Sequence, residues 1–227
     1  MHVPDGFIDA TTSLATGAVA VAGVTLALRG ARRELDDRTA PMAGLVATFV
    51  FAGQMMNFPV GAGTSGHLLG GTLAAVLAGP WTAVLAITVV LMVQSLLMAD
   101  GGITALGTNI TLMALVAVAV GWVVFVGVRA VLPRRTASVA PAAAIGAFVS
   151  VPAAALAFTA IYAVGGTAPV ALDTVLTAML SWHLVIGLGE AVITGLVVAS
   201  VVAVRPDLVH GARDAFEARR LEIRAPA

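Results

Sequence analysis

The chain has 227 residues with no net charge at neutral pH; 59% of the residues are hydrophobic and only 11% are charged. A soluble domain carries roughly 25% charged residues, so the composition excludes a water-soluble globule and favours a membrane protein. All 12 basic residues are arginine and cysteine is absent. These absences exclude the lysine-dependent phosphate-binding loop of an ATPase and any thiolate metal site, and a neutral chain has no bulk attraction to nucleic acid.

The first residues do not have the pattern of a signal peptide, which begins with positive charge and runs into a short apolar core. Asp5 and Asp9 come before the first basic residue, Arg29. We therefore expect the opening segment to belong to the mature protein.

Apolar windows separated by Pro, Gly, Asn and Arg predict an all-α, polytopic membrane protein with about seven transmembrane helices, since each crossing takes about 20 residues. The third predicted span is short and rich in glycine. The bundle occupies residues 1–204, and alternating charged and apolar residues predict an amphipathic helix in a cytoplasmic tail, 205–227. The predicted spans are residues 11–28, 41–58, 66–79, 81–98, 104–128, 141–164 and 184–204.

The arginines predict the orientation of these spans. With seven crossings, every arginine falls on one side, after the first, fifth or seventh span. Because cytoplasmic loops are enriched in Arg and Lys, we expect the N-terminus outside, the C-terminus inside, and a multi-pass location in the plasma membrane. The connections on the outer side carry no arginine and are residues 1–10, 57–65, 99–103 and 165–181.

Polar groups on the outer side indicate a site for capturing something from outside. Three of the four histidines lie there, at His2, His67 and His183. The Met1 α-amine, the His2 amide nitrogen and the His2 imidazole can wrap one ion in five- and six-membered chelate rings, a set suited to planar Cu(II) or Ni(II). His67 is the obvious fourth nitrogen; the alternative is a surface His2 and a packed His67.

Two other polar residues have different predictions. His183 follows Trp182 and is predicted to be an anchor at the membrane interface. Glu190 lies within the last span, next to a glycine pair, and needs a buried partner. The sequence does not name that partner.

Four stretches of the chain match a known family in the order in which they occur. They are MHVPDGFID at the start, NFPVGAGTSGHLLGG at residues 57–71, LLMADGGITALGTNI at 96–110 and WHLVIGLGEAVIT at 182–194. On these motifs the chain resembles the CbiM/NikM family, the substrate-binding membrane component of energy-coupling-factor transporters for cobalt and nickel. The resemblance covers nearly all of the transmembrane part.

The resemblance implies six core helices plus an N-terminal helix, with the N-terminus plugged into the outer face. It implies a transported Co²⁺ or Ni²⁺ held in near-square-planar geometry by the Met1 amine, the amide and imidazole nitrogens of His2, and the His67 imidazole. The partners implied are a transmembrane coupling protein, two cytoplasmic ATPases and a small accessory membrane subunit. Such a chain is a transporter subunit and not an enzyme, without an organic cofactor. The residues do not separate cobalt from nickel.

The ring nitrogen of His67 that is not on the metal should meet a hydrogen-bond acceptor, as metal-bound imidazoles do. Ser65, Asp100 and Asn109 are the candidates. All three lie on the predicted outer side of the membrane.

Two other functions stay open at this point. Gly63-Thr64-Ser65-Gly66 has a Gly-x-Ser-Gly form at a helix start, and Ser65 with His183 would suit a rhomboid-like intramembrane serine protease. This alternative leaves Met1 and His2 unexplained. A component that binds a vitamin would need an aromatic-lined cavity, and only 5% of the residues are aromatic.

Overall fold

A computed structural model describes residues 1–37, 39–61 and 64–216. Eight α-helices and one short hairpin follow one another along the described chain, and a π-helical stretch, Ile110–Val116, joins α5 to α6. The helices are α1 (Ala10–Ala31), α2 (Ala40–Gln54), α3 (Gly71–Ala78), α4 (Pro80–Leu97), α5 (Leu106–Asn109), α6 (Ala117–Val131), α7 (Val139–Gly165) and α8 (Leu172–Val204); the strands are β1 (Phe58–Gly61) and β2 (Thr64–Gly66).

The all-α, multi-pass architecture is confirmed. Five helical segments are long and apolar enough to cross a membrane: α1, α4, the α5–α6 segment, α7 and α8. The apolar helix α2 is shorter, with 15 residues. Lipid-facing side chains account for many of the exposed leucines and valines, because hydrocarbon rather than water surrounds such a bundle.

The third predicted span, 66–79, is wrong as a continuous helix. Only α3 is helical there, and its eight residues are all buried. At about 1.5 Å per residue α3 is about 12 Å long, less than half of the hydrocarbon thickness, so α3 alone cannot span it. Non-helical backbone is tolerated at that depth where protein encloses it. Gly70 and Gly79 flank α3 with φ of +73° and +103°, which ends the helix on both sides.

The last predicted span begins too late. Helix α8 starts at Leu172 instead of residue 184 and runs for 33 residues. It packs along α7, and the connection between the two helices shrinks to residues 166–171. The early polar residue Asp173 lies in the first turn of α8, where a carboxylate favours the helix N-terminus and does not interrupt it.

Connections that carry arginine meet at one end of the bundle. The Glu34 carboxylate, from the α1–α2 connection, accepts the backbone N–H of Thr82 in the first turn of α4 at 2.7 Å. Arg129, near the end of α6, forms an ion pair with Asp214 at 3.2 Å, and Arg213 donates to the Glu34 carbonyl oxygen. The N-terminus lies at the opposite end, as the arginine distribution requires of an outside N-terminus; the orientation itself stays a prediction.

The tail after α8 is described as far as Phe216. It forms two 3-10 turns, Pro206–Leu208 and His210–Ala212, and then one helical turn over 213–216. Ala212 is fully buried, so this part of the tail packs against the bundle. The chain therefore does not form one continuous amphipathic helix from residue 205. Residues 217–227 lie outside the described chain, and for them the amphipathic helix stays a prediction.

Candidate metal centre

The first residues of the chain are inside the bundle. Met1 is 1% exposed, His2 5% and Val3 0%. Met1 and Val3 belong to the hydrophobic core, so their apolar side chains stabilise the insertion. The segment carries the main-chain amine and the His2 imidazole into the protein with it.

Hydrogen bonds hold the backbone of Val3 in place. Its N–H donates to the Asn109 side-chain oxygen at 2.8 Å, and its carbonyl oxygen accepts from the Asn109 side-chain nitrogen at 3.2 Å. The same carbonyl oxygen accepts the N–H of Gly102 at 2.9 Å. Since buried backbone groups need partners, Asn109 and Gly102 together let this segment leave water.

The rest of the segment is bound at two further places. The Asp5 carboxylate accepts the N–H of Thr104 at 2.8 Å. The Phe7 carbonyl accepts the N–H of Thr167 at 3.1 Å, and Asp9 donates to the Gly165 carbonyl at 2.7 Å. The N-terminal segment is therefore fixed between the loop before α5 and the α7–α8 connection.

The insertion brings two imidazoles together. The ring centroids of His2 and His67 are 4.6 Å apart, and the planes are inclined by 31°. His67 is fully buried, and its Nδ1 lies 2.7 Å from the Leu68 carbonyl oxygen. A carbonyl only accepts, so Nδ1 carries the hydrogen and Nε2 keeps its lone pair. Nε2 is buried and has no hydrogen-bond partner among the described residues.

The two nitrogens of His2 face the loop after α4. Nε2 lies 3.6 Å from the Asp100 carboxylate, which accepts a hydrogen bond from the Asn57 side chain at 2.7 Å. Nδ1 lies beside Gly101: a Cβ placed there would be 2.9 Å from it. Gly101 also has φ of +89°, a conformation that suits glycine. The loop thus offers a carboxylate to one ring nitrogen and space beside the other.

Burial favours the uncharged forms of the Met1 amine and the His2 imidazole. It lowers the pKa of the Met1 α-amine from 8.0 to about 4, against the opposing attraction of Asp100. Burial, and then the nearby amine, lower the pKa of His2 to about 4, again against Asp100. At neutral pH both groups are uncharged, and uncharged nitrogens have the lone pairs that metal ions need. Among the described residues no three His, Cys, Asp or Glu side chains cluster closely enough to hold a metal, and the donors found here are two imidazoles and one main-chain amine.

Among the described residues, the hydrogen-bond partner of the His67 ring differs from the candidates named from sequence. The Leu68 carbonyl accepts the His67 ring N–H. Asp100 lies next to His2, and Asn109 holds Val3. The side chain of Ser65 lies outside the described residues.

The prediction that His183 anchors the membrane interface is wrong. Because α8 begins at Leu172, His183 lies well inside the helix, and it is 0% exposed. Its Nδ1 is 2.7 Å from the Met179 carbonyl oxygen, which leaves the lone pair on Nε2. The neighbouring Trp182, 41% exposed, has the exposure expected of a lipid-facing residue.

Two buried polar residues hold the backbone that follows His67. Glu190, 2% exposed, accepts the N–H groups of Leu69 and Gly70 at 2.7 and 2.8 Å. Gln54 donates to the Leu69 carbonyl at 2.7 Å. The sequence alone indicated that Glu190 needs a buried partner, but it did not lead to Gln54. Gln54 could have been noticed as an amide at the end of an otherwise apolar helix.

Comparison with known proteins decides the family. Residues 2–208 match the family model described as "Cobalt uptake substrate-specific transmembrane region". The chain belongs to this family. The resemblance to CbiM/NikM proteins is thereby confirmed, and the chain is a membrane component of a metal uptake system. The match to a cobalt uptake family gives no support to the alternative of a serine protease.

Relatives and solved structures agree with this membership. The cobalt transport protein CbiM of Sorangium cellulosum is 35% identical over 92% of this chain and 94% of the relative. The fused nickel transport protein NikMN of Rhodobacter capsulatus is 36% identical over 92% of this chain and 64% of that longer protein. A crystal structure titled as a transition metal transporter is 32% identical, with a TM-score of 0.84 over 99% of this chain and 100% of the other.

Proposed function

We propose that this protein captures Co²⁺ or Ni²⁺ at the outer face of the membrane, as the substrate-binding component of an energy-coupling-factor transporter. The observation that carries the proposal is the buried N-terminus, with the ring of His2 4.6 Å from the ring of His67. The donors would be the Met1 amine, the His2 amide nitrogen, His2 Nδ1 and His67 Nε2.

The chemistry of these donors supports a planar site. A chelate through the amine, the amide and Nδ1 of residue two needs Nδ1 on the metal, which directs Nε2 outward. In the structure Nε2 of His2 lies 3.6 Å from the Asp100 carboxylate, beyond hydrogen-bond distance but on the side where an orienting carboxylate would stand for an imidazole bound through Nδ1. An ionised amide among the ligands favours Ni(II) and Cu(II), which accept square-planar nitrogen sites.

The identity of the ion follows only in part from the donors. Relatives named for cobalt transport and for nickel transport match nearly the same share of this chain. Cu(II) binds most nitrogen sites more tightly than either ion. Selection of cobalt or nickel would therefore rest on metal availability and on rigid placement of the four nitrogens.

Import against a gradient needs energy from other subunits. The proposed partners are a transmembrane coupling protein, two cytoplasmic ATPases and a small accessory membrane subunit. The absence of lysine from this chain fits a division of labour in which ATP is hydrolysed elsewhere, because the phosphate-binding loop requires that residue.

The test measures metal in the purified protein after incubation with Ni²⁺ or Co²⁺ and removal of the excess. We expect the unaltered chain to retain metal, and we expect loss of metal in His2→Ala, in His67→Ala and in a version extended by a few residues before Met1. His210→Ala alters the fourth histidine, at the cytoplasmic end, and is the matched control that should retain metal.

The outcomes separate the ligands from one another. Full occupancy in the extended protein would exclude the Met1 amine. Full occupancy in His67→Ala would exclude His67 as a ligand and leave only the Met1–His2 chelate. Ser65→Ala should retain metal, whereas an intramembrane serine protease would lose its activity with that change.

A further inference from the structure

Glu190 and His67 are joined through a single peptide group. The Leu68 carbonyl oxygen and the Leu69 N–H belong to the same peptide unit, which is planar and rigid. His67 Nδ1 donates to that carbonyl at 2.7 Å, and the N–H donates to Glu190 Oε2 at 2.7 Å. A continuous line of contacts therefore runs from the carboxylate, across one peptide plane, to the ring whose Nε2 is free.

The second oxygen of Glu190 fixes the carboxylate itself. Oε1 accepts the N–H of Gly70 at 2.8 Å, so both oxygens are engaged by consecutive backbone amides. On the other side, Gln54 holds the Leu69 carbonyl at 2.7 Å. Neither Glu190 nor Gln54 has appreciable exposure, at 2% and 0%. The turn is therefore held from α2 and from α8 at once.

The turn has little freedom to adjust by other means. Gly70 has φ of +73°, and a Cβ there would lie 2.7 Å from the Val50 side chain. Leu69 is fully buried. Because this turn packs directly against α2, the backbone around it has little room to move. Rotation of the Leu68–Leu69 peptide would therefore break the hydrogen bond to Glu190.

A buried carboxylate at this place has an electronic effect as well as a geometric one. Hydrogen bonds in a chain polarise one another in a low-dielectric interior. Negative charge at the N–H side of the peptide makes the Leu68 oxygen a stronger acceptor, and a stronger acceptor on Nδ1–H makes Nε2 a better donor to a metal. The arrangement is the familiar carboxylate–imidazole–metal relation with one peptide group inserted.

We infer that Glu190 is a positioning residue for metal capture, which orients His67 and strengthens its Nε2 through the Leu68–Leu69 peptide. This inference rests on the proposed function, since it requires His67 to bind the metal. It gives Glu190, a residue of the last helix, an effect on metal affinity through His67.

The experiment is a double-mutant cycle with Cu²⁺ as the probe, because Cu²⁺ binds nitrogen sites most strongly and residual binding by the Met1–His2 chelate stays measurable. The affinity is determined for the unaltered protein, Glu190→Gln, His67→Ala and the double variant, with the visible absorption of the bound ion as a second readout. Thr194→Val, a buried change one turn further along α8, is the matched control.

We expect Glu190→Gln to weaken binding about 10-fold, the lower end of the effect of removing a direct partner of a metal-bound imidazole, because Glu190 acts through one further peptide group. We also expect the absorption band to shift. In the His67→Ala background the same change should weaken binding less than about 3-fold, because the residue through which Glu190 acts is gone. Thr194→Val should change neither readout.

Equal weakening by Glu190→Gln in both backgrounds would show a general structural role and overturn the inference. So would unaltered affinity and absorption in the single variant. Unaltered affinity in His67→Ala would instead exclude His67 as a ligand, and with it the proposed four-nitrogen site, whatever Glu190 does. If Glu190→Gln does not fold, Glu190→Asp, which keeps the carboxylate but is shorter, replaces it in the same cycle. Equal weakening in both backgrounds, or unaltered affinity and absorption in the single variant, would again overturn the inference.

Discussion

Replacement of Asn109 by leucine tests how firmly the N-terminal segment is held. Asn109 is 1% exposed and pairs with both backbone groups of Val3. Leucine has a similar size but cannot hydrogen bond. The Val3 N–H would then lose the acceptor it has in the structure, while the Val3 carbonyl would keep the N–H of Gly102.

The expected magnitude follows from these two losses. A buried N–H left without an acceptor costs about 1–3 kcal/mol, and one further hydrogen bond contributes about 0.5–1.5 kcal/mol. The sum, roughly 1.5–4.5 kcal/mol, corresponds to about a 10- to 1,600-fold change at about 1.4 kcal/mol per factor of ten. Only the docked segment can bind metal at the proposed site. Asn109→Leu should therefore weaken Ni²⁺ affinity by at most this factor, and the full loss appears only if the segment is mostly undocked in the variant.

Docking can be measured apart from metal binding, because a chain without lysine has only one primary amine, at Met1. An amine-reactive ester should label the unaltered protein slowly, since Met1 is buried, and Asn109→Leu should be labelled faster, as mass spectrometry of the intact protein would show. Bound Ni²⁺ should protect the amine in both proteins. If Asn109→Leu is labelled and binds Ni²⁺ as the unaltered protein does, the side chain does not hold the segment, and the reasoning is refuted.

Further changes have separate effects. Gly101→Ala should reduce Ni²⁺ binding in a titration while the protein stays folded, because its Cβ would lie 2.9 Å from His2 Nδ1. Gly127→Ala, whose Cβ meets open space, is the control and should have no effect. Gly102→Ala should speed labelling of the α-amine, because a Cβ there collides with the N-terminal backbone; an unchanged rate would contradict the described packing. Glu34→Ala should lower the free energy of unfolding by about 1–3 kcal/mol, because Thr82 loses its acceptor, and thermal melts should show this without a change in metal affinity.

The membrane architecture could be predicted from sequence because it depends on local properties. Long apolar windows, breakers and the one-sided arginines are visible without any contact information. The proposed donors were visible for a similar reason: Met1 and His2 form chelate rings through adjacent covalent bonds. His67 stood out as a histidine among glycines on the predicted outer side.

The parts that could not be predicted depend on distant contacts. The bonds from Glu190 to Leu69 and Gly70 join residues more than one hundred positions apart, and nothing in either segment names the other. The early start of α8 was hidden by polar residues that the helix tolerates at its N-terminus. The brevity of α3 depends on the surrounding protein, which encloses the non-helical backbone that lipid would not accept.

The burial of the first three residues has a consequence for leakage. The residues that would bind the ion also cover the proposed site, because ligands and cover belong to one segment. Any movement of this segment that exposed the site would remove three of the four proposed nitrogen donors at once. If the proposed site is right, an ion-loaded state open to the exterior is not expected, and retention of the ion needs no separate gate.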